Sequence, residues 1–435
     1  PMSIGACHHA EGEFIYMKKI AVLGCGTVGS GVVEVFYKNR SSIQKKSGCD
    51  MDIKYIYLRR AHPELLTQYP DMHLEEKFCF DFDTIANDPE INIVVEVMGG
   101  IEPAYHFVKT CLQKGKSVAT ANKELIANKG AELLSIAKQN HVNILFEASV
   151  GGGIPIIRPL HQCLGANEID DIQGILNGTT NFILTKMIRE NMNFADALSL
   201  AQKLGYAEAD PTADVEGLDT CRKICILASL AYGKQINPQW VSCEGISKIT
   251  AEDVEYAKDW GGVIKLIGKA TRDEQTQKIA MMVAPMFVPQ ESQLSTVDDV
   301  FNGILVTGDA TGEVLFYGKG AGKLPTASAV MSDVIDCAKA TDTIDTLYWE
   351  DGDGSELADL SLLPSRFYLR FQMQYSQQLS WLEHSFCHAE FLARKNQPQT
   401  EAALVTDSMT PEHLDLLLQS AKKEGITLLS KIVVL

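Results

Sequence analysis

The stretch Ile20-Ala21-Val22-Leu23-Gly24-Cys25-Gly26-Thr27-Val28-Gly29 decides the fold. Ile20 to Leu23 is an apolar run and reads as a buried strand. From Val28 to Lys38 the spacing turns helical, with Val32, Val33 and Phe36 on one face. Between the two, Gly24, Gly26 and Gly29 fit G-x-G-x-x-G. A lone match is weak evidence, but here a strand precedes it, a helix follows it, and a second strand, Ile53 to Leu58, comes at the expected distance. Gly24 would allow the tight turn, Gly26 would let the backbone approach a pyrophosphate, and Gly29 would let helix and strand pack closely. The helix N-terminus at Thr27 and Val28 would offer N–H groups and a positive dipole end to phosphates. The competing reading is a plain strand-to-helix turn.

Outward from this turn, strands and helices alternate. Ile93 to Val97 is a strand ending at Gly99-Gly100. A helix follows Pro103, Ser117 to Ala119 is a short strand, a helix begins near Glu124, and Asn143 to Phe146 is a further strand. This order predicts an α/β domain over 18–150, a doubly wound parallel sheet of Rossmann type. After Gly151-Gly152-Gly153 the pattern changes. Strand-like runs at Asp171 to Leu176, Ile264 to Thr271, Ile279 to Val288 and Ile304 to Thr307 enclose helices ending near Arg189, Leu204 and Tyr232. That predicts an α+β domain over 151–317. A helix from Pro325 is expected to pack back on the first domain, completing it with about 318–345. The acidic, glycine-rich run Glu350 to Ser355 reads as part of a linker over 346–364. Residues 365–435 have a βαβ flavour. Residues 1–17 read as a leader or disordered tail, in which Cys7-His8-His9 is a weak metal candidate.

Composition narrows the function. The 435 residues carry a net charge of −17, with 46% apolar and 22% charged residues. This excess of negative charge argues against non-specific binding to nucleic acid or anionic membrane. No run has the length of a membrane span, and no signal peptide is expected. Eleven cysteines are scattered without framework spacing. Cys221 and Cys225 lie four apart, neither a redox pair nor a zinc knuckle, so reduced thiols in a cytoplasmic protein are expected.

At the end of the second strand an acidic residue would bind the ribose hydroxyls of NAD. The chain has Arg59 and Arg60 there, which suit the 2′-phosphate of NADP, unless they are simply solvated. The most informative stretch runs from Gly205 to Lys223. Glu208, Asp210, Asp214, Glu216 and Asp219 crowd a Pro- and Gly-punctuated loop before an apolar helix, Leu218 to Tyr232. Asp219 and Lys223, four apart, share a helix face. The bland reading is a surface ion pair; the apolar helix argues for a half-buried, oriented one.

These residues resemble a known family. Asn177-Gly178-Thr179-Thr180-Asn181-Phe182, Gly205 to Pro211 and Glu216 to Lys223 look like signatures of homoserine dehydrogenase. So do Gly99 to Ala104, Thr120-Ala121-Asn122-Lys123 and Tyr317 to Thr326. The resemblance implies reversible oxidation of L-homoserine to L-aspartate 4-semialdehyde with NADP or NAD, in threonine and methionine synthesis. It implies Lys223 as proton donor to the aldehyde oxygen, Asp219 and Glu208 as substrate ligands with Asp214 in the same network, and Lys123 near nicotinamide and substrate as the second proton-handling candidate. Gly99, Gly205, Gly320 and Gly322 are implied at the cofactor. Glu147, through its carboxylate, and the carbonyls of Val150, Gly152 and Ile154 are implied as a site for a monovalent cation, Na+. From the residues alone that glycine loop is equally a hinge, and the two readings are compatible. The family also implies at least a homodimer, built through the second domain's sheet. The tail resembles a degenerate ACT domain, a βαββαβ module. After Met373 it has Gln374 to Leu379 in place of the effector-binding Asp-x-Pro-Gly turn, which puts a threonine effector in doubt and favours a dimerisation role.

Two other readings remain: a different semialdehyde reductase on the same scaffold, and a cofactor sensor without turnover. Retained Glu208, Asp219 and Lys223 count against the second. An aspartate-semialdehyde dehydrogenase would need a cysteine nucleophile paired with a histidine, and Cys221 and Cys225 sit on the wrong kind of segment.

Overall fold

The computed structural model describes residues 17–60, 74–273, 275–340 and 347–435. The readings placed on 1–16, Cys7-His8-His9 among them, lie outside the described residues.

The first sheet has six strands: β1 (Met17–Leu23), β2 (Asp50–Tyr57), β3 (Phe78–Cys79), β4 (Ile91–Glu96), β5 (Ser117–Thr120) and β6 (Ile144–Leu145). All pair in parallel, in the order β3-β2-β1-β4-β5-β6. Strands β1 and β4 are apolar without alternation because both faces are covered: Ala21, Val22 and Leu23, and Ile93, Val94 and Val95, are all buried. The strand order reverses between β1 and β4. Their carboxyl ends therefore open a crevice, the usual ligand position in such sheets. The helix Lys323–Lys339 returns to this layer. A Cβ at Gly31, on the helix Thr27–Lys38, would lie 2.8 Å from the carbonyl oxygen of Lys323 and 3.1 Å from Ala327 Cβ, so the two helices meet at backbone distance.

The second sheet comprises β7 (Ile169–Ile175), β8 (Ser242–Cys243), β9 (Gly262–Arg272), β10 (Ile279–Pro289), β11 (Phe301–Gly308), β12 (Gly312–Lys319), β13 (Arg366–Gln372), β14 (Glu390–Leu392), β15 (Glu401–Val405) and β16 (Thr427–Val434). Its order is β12-β11-β7-β9-β10-β16-β13-β15-β14, with β8 also paired to β10. The joint is β10. One edge takes β9 antiparallel along its whole length. The other takes β8 and then β16 in parallel, the latter through Met286 with Val433 and Phe287 with Val434. The last four strands thus continue the second sheet. With the helices Gln378–Ser385 and Pro411–Lys423 they follow the βαββαβ order, around a core of Phe367, Leu369, Phe371, Leu382, Leu404 and Leu414.

Several elements depart from the sequence reading. The helix Ala251–Asp259 opens with a capping box in which Thr250 and Asp253 exchange hydrogen bonds. The helix Arg40–Ser47 buries only Ile43 and Ser47, so it carries little apolar periodicity. The run read as a linker is anchored. Trp349 is fully buried, edge-on to Phe146 at 5.5 Å, and donates from Nε1 to Gln235 Oε1 at 2.9 Å. Its ring fills the space over Gly130, where a Cβ would come within 2.4 Å of it. Glu350 then pairs with Lys234 at 2.5 Å. We expect Trp349→Ala to cost about 3–5 kcal/mol in chemical denaturation, as for other buried aromatics. A loss under 1 kcal/mol would return this segment to the status of a loose linker.

Candidate active site

The glycine turn lies at the mouth of the crevice. Gly24 has φ +97°, a left-handed value that glycine tolerates, and donates to the carbonyl of Tyr57 at 3.1 Å. At Gly29 a Cβ would sit 2.1 Å from the Gly24 carbonyl oxygen. At Gly26, the N-cap of helix Thr27–Lys38, a Cβ would meet nothing within 4 Å, and no side chain caps the helix. One glycine bends the chain, one admits the helix, and the third faces open space beside uncapped N–H groups. That donor set fits a pyrophosphate. Across the crevice Gly99 and Gly100 also have positive φ, and Gly99 faces open space. Arg59 and Arg60 are exposed just past β2.

A buried network shapes this crevice that the sequence reading missed. Glu96, at the end of β4, is fully buried. It accepts from the Met98 N–H at 2.8 Å and from Thr120 Oγ1 at 2.6 Å, and burial pushes its carboxyl up. Asn122 donates to the Gly100 carbonyl at 2.6 Å, while its own Oδ1 caps the helix Lys123–Gln139 at Leu125 N. The loop carrying Lys123 is thereby tied to the loop carrying Gly100.

The second unit brings its acidic loop and its lysine helix to the same place. Asp219 and Lys223 are both buried, at 4% and 7% exposure, which rules out a surface ion pair. Lys223 Nζ pairs with Asp219 Oδ2 at 2.8 Å and donates to the Leu176 carbonyl, just beyond β7, at 2.7 Å. Asn177 Nδ2 donates to Asp219 Oδ2 at 2.9 Å and to Asp214 Oδ1 at 2.7 Å, while Asn177 Oδ1 caps the helix Gly178–Glu190 at Thr180 N. Lys123 Nζ, from the first unit, lies 2.5 Å from Asp219 Oδ1, an ion contact made outside good hydrogen-bond angles. Burial works to raise the Asp219 carboxyl, but the ammonium groups of Lys223 and Lys123 outweigh it and hold the group well below the usual carboxylate range. Burial and the nearby Asp219 charge push Asp214 up. For Lys223 burial dominates and lowers the ammonium despite Asp219. Lys123 is raised, because Asp219 more than offsets its burial.

Lys123, Asp214, Asp219 and Lys223 therefore form one cluster. Glu208 stands apart from it: the residue is exposed, and its main-chain carbonyl accepts from Gln202 at 3.1 Å. Gly205, with φ +76°, also faces open space. The two later glycine loops pack on each other. A Cβ at Gly152 would lie 2.3 Å from the Gly320 carbonyl oxygen, and the Gly153 N–H donates to Lys319 O at 3.0 Å. Gly322 caps the helix Lys323–Lys339. The carboxylate of Glu147 is already engaged. It accepts from the N–H groups of Ile156, Ile157 and Arg158 at 2.6, 2.9 and 2.9 Å, and Arg158 also pairs with Asp333. A negative side chain serving a turn of free N–H groups is capping chemistry. The carbonyls of Val150, Gly152 and Ile154 accept no hydrogen bond among the described residues.

A parallel sheet with a glycine turn at its switch point, facing a buried lysine–carboxylate cluster, defines a nicotinamide-dependent dehydrogenase. Comparison with known proteins carries this further. The model of the homoserine dehydrogenase NAD-binding domain matches residues 24–147, and that of homoserine dehydrogenase matches 155–335. Homoserine dehydrogenase of Synechocystis sp. is 46% identical over 73% of this chain and 72% of its own; that of Bacillus subtilis is 43% identical over the same shares. The crystal structure of a homoserine dehydrogenase from Thiobacillus denitrificans superposes with TM-score 0.85 at 33% identity, over 97% of this chain and 98% of its own. The S. aureus enzyme gives 0.78 at 34%, over 96% and 99%. The chain belongs to the homoserine dehydrogenase family. It is an oxidoreductase that interconverts L-homoserine and L-aspartate 4-semialdehyde with a nicotinamide cofactor. The readings as another semialdehyde reductase or as a silent sensor are not favoured.

The glycines separate fold from binding. Gly29→Ala is expected to lower stability by about 1–3 kcal/mol through overpacking. Gly26→Ala should leave the unfolding midpoint unchanged and weaken NADP(H) binding on the order of tenfold or more by filling the open space. Titration of nucleotide fluorescence beside thermal melts checks both, and equal effects in the two variants would contradict the division.

Proposed function

We propose that Lys223 holds the proton that the reaction moves, that Asp219 and Asp214 receive the α-ammonium of the substrate with Glu208 closing over it, and that Lys123 is the second proton-handling group. The observation that carries this is the Lys223 ammonium itself, buried, ion-paired with Asp219 and hydrogen-bonded to the Leu176 carbonyl. An ammonium has three donors, so at least one N–H remains beyond the Leu176 carbonyl and the Asp219 ion pair. As the aldehyde carbon gains a hydride its oxygen gains charge, and a directed N–H stabilises that oxygen and then yields its proton. Bound in the crevice, the nicotinamide supplies or takes the hydride. Burial lowers Lys223 below an ordinary lysine, which eases giving up the proton and, in the oxidising direction, raises the share of neutral amine able to accept one.

The sign of the pH dependence follows. Oxidation of homoserine needs the neutral amine, so its kcat/KM should rise with pH through this lowered value. Reduction of the semialdehyde needs the ammonium and should fall over the same range. Profiles in both directions check it, and parallel slopes would remove Lys223 from the role. Lys223→Ala should cost about 10²–10⁴-fold in turnover while nucleotide still binds. Near-normal turnover there would move the proton to Lys123.

NADP is the proposed preference over NAD. Two exposed guanidinium groups past β2 suit a 2′-phosphate. Replacing Arg59 and Arg60 by alanine should raise the KM for NADP about tenfold, the loss of roughly 1.4 kcal/mol, and leave that for NAD within about twofold. An equal change for both nucleotides would make these arginines bystanders.

Three coarser readings complete the proposal. A monovalent cation such as Na+ would take the carbonyls of Val150, Gly152 and Ile154, oxygen donors suited to a hard cation, together with Glu147, whose carboxylate also holds the following turn. The chain would act as a homodimer in the cytoplasm. β12 is the outermost strand of the second sheet and exposes Leu315 and Tyr317, features that suit pairing with a second copy, and the described cysteines carry no disulfide. The tail would be an ACT-like module without a threonine response. In the turn where an effector would bind, Gln378 Oε1 already accepts from the N–H groups of Gln374 and Tyr375 at 2.7 and 3.2 Å.

A further inference from the structure

Two ion contacts join the first turn of the helix Lys123–Gln139 to the first turns of the helix Leu218–Tyr232. Lys123 meets Asp219 at 2.5 Å, and one residue further along Arg222 Nη2 donates to Glu124 Oε1 at 3.1 Å. One helix presents plus then minus; the other presents minus then plus. Deeper in the same junction Gln235 grips the first helix, accepting from Ala131 N at 2.9 Å and donating to Ala127 O at 2.7 Å, within a buried contact sealed by Trp349. The deep clamp is neutral and buried, whereas the pair at the mouth is ionic, with a quarter to a third of each side chain exposed.

Lys123 occupies an awkward place. It is the first residue of its helix, where the positive dipole end disfavours an ammonium. Its position therefore depends on what lies across the crevice. Asp219 supplies that partner, but under the proposed reading Asp219 also receives the ammonium of the substrate, which then competes with Lys123. Glu124 sits at the same helix terminus with the favoured sign, and its partner Arg222 neighbours Lys223 rather than touching the proposed substrate site.

We infer that the Glu124–Arg222 pair is a positioning device for Lys123, fixing the mouth of the crevice so that Lys123 stays at the site when a substrate takes Asp219. A partly exposed pair of this kind adds little to stability, so its effect should appear in turnover. The test is a set of variants, Glu124→Gln, Arg222→Gln and the charge swap Glu124→Arg with Arg222→Glu, each made in the parent chain and in Lys123→Ala. In the parent, each single change should lower kcat for homoserine oxidation on the order of tenfold, with the unfolding midpoint and NADP(H) affinity nearly unchanged, and the swap should recover part of the loss, short of the parent because it places a cation at the helix N-terminus. In Lys123→Ala, Glu124→Gln should cost less than about twofold, because the group it positions is gone. Equal losses in both backgrounds overturn the inference while leaving the assignment of Lys123 intact. Full turnover in Lys123→Ala alone sinks that assignment and the inference with it. Parent-like kcat in both single variants also overturns the inference.

Discussion

The carboxylate of Asp219 is the charge around which this molecule is organised. A carboxylate buried to this depth loses several kcal/mol of hydration, and only partners fixed at hydrogen-bond distance compensate it. Those partners come from separate places: Lys223 one turn on, Asn177 at the end of β7, and Lys123 at the end of β5 in the other sheet. Asn177 is bound in turn by its cap on the helix Gly178–Glu190, and Lys223 by the Leu176 carbonyl. The network cannot be satisfied unless the strand end, the lysine helix and the first unit are all in place. The proposed reacting group and the arrangement of the two sheets thus share one set of contacts, so loosening one loosens the other.

A second constraint is steric. Between the sheets the chain passes through Gly151-Gly152-Gly153 and returns through Gly320 to Gly322, and the two loops touch with no space for a Cβ at Gly152. At Gly320 a Cβ would fall on the Asn302 side chain. Glu147 holds the outgoing turn by three N–H groups, and Arg158 binds Asp333 on the returning helix. Backbones approach closely where glycine permits it, and one carboxylate and one guanidinium fix the angle at which they leave.

What was legible in the sequence was local. The run Ile20 to Leu23, the glycine spacing and the i,i+4 pair Asp219–Lys223 each lie within one turn or one strand, and periodicity reports them. The contacts that make the site span long intervals. Lys123 meets Asp219 across nearly a hundred residues, and Asn177 reaches Asp214 and Asp219 from another strand. No spacing rule encodes such distances. Glu96 was hidden differently: one acidic residue ending an apolar strand looks like the edge of a surface, whereas Thr120 and the Met98 N–H make it interior. The helix Ala251–Asp259 did carry a readable signal, Thr250 three residues before Asp253. The helix Arg40–Ser47 carried almost none, being polar on nearly every face. The acidic, glycine-rich run after Trp349 misled because composition describes its solvated side and not the indole buried beside it.

The tail is held to the second sheet by its strands and side chains. Its strand β16 adds to β10, so part of its backbone hydrogen bonding belongs to the second sheet. Behind that seam lies a buried ionic cluster. Tyr368 donates to Asp253 Oδ1 at 3.0 Å, Arg370 Nε lies 3.1 Å from the same oxygen, and Glu401 takes Tyr256 at 2.7 Å and Arg394 at 2.8 Å. Buried ion pairs seldom add net stability over apolar packing, but each fixes a register, since a misplaced tail would leave charges unpaired in the interior. Docking is thus specified by residues far from the Gln374–Leu379 turn.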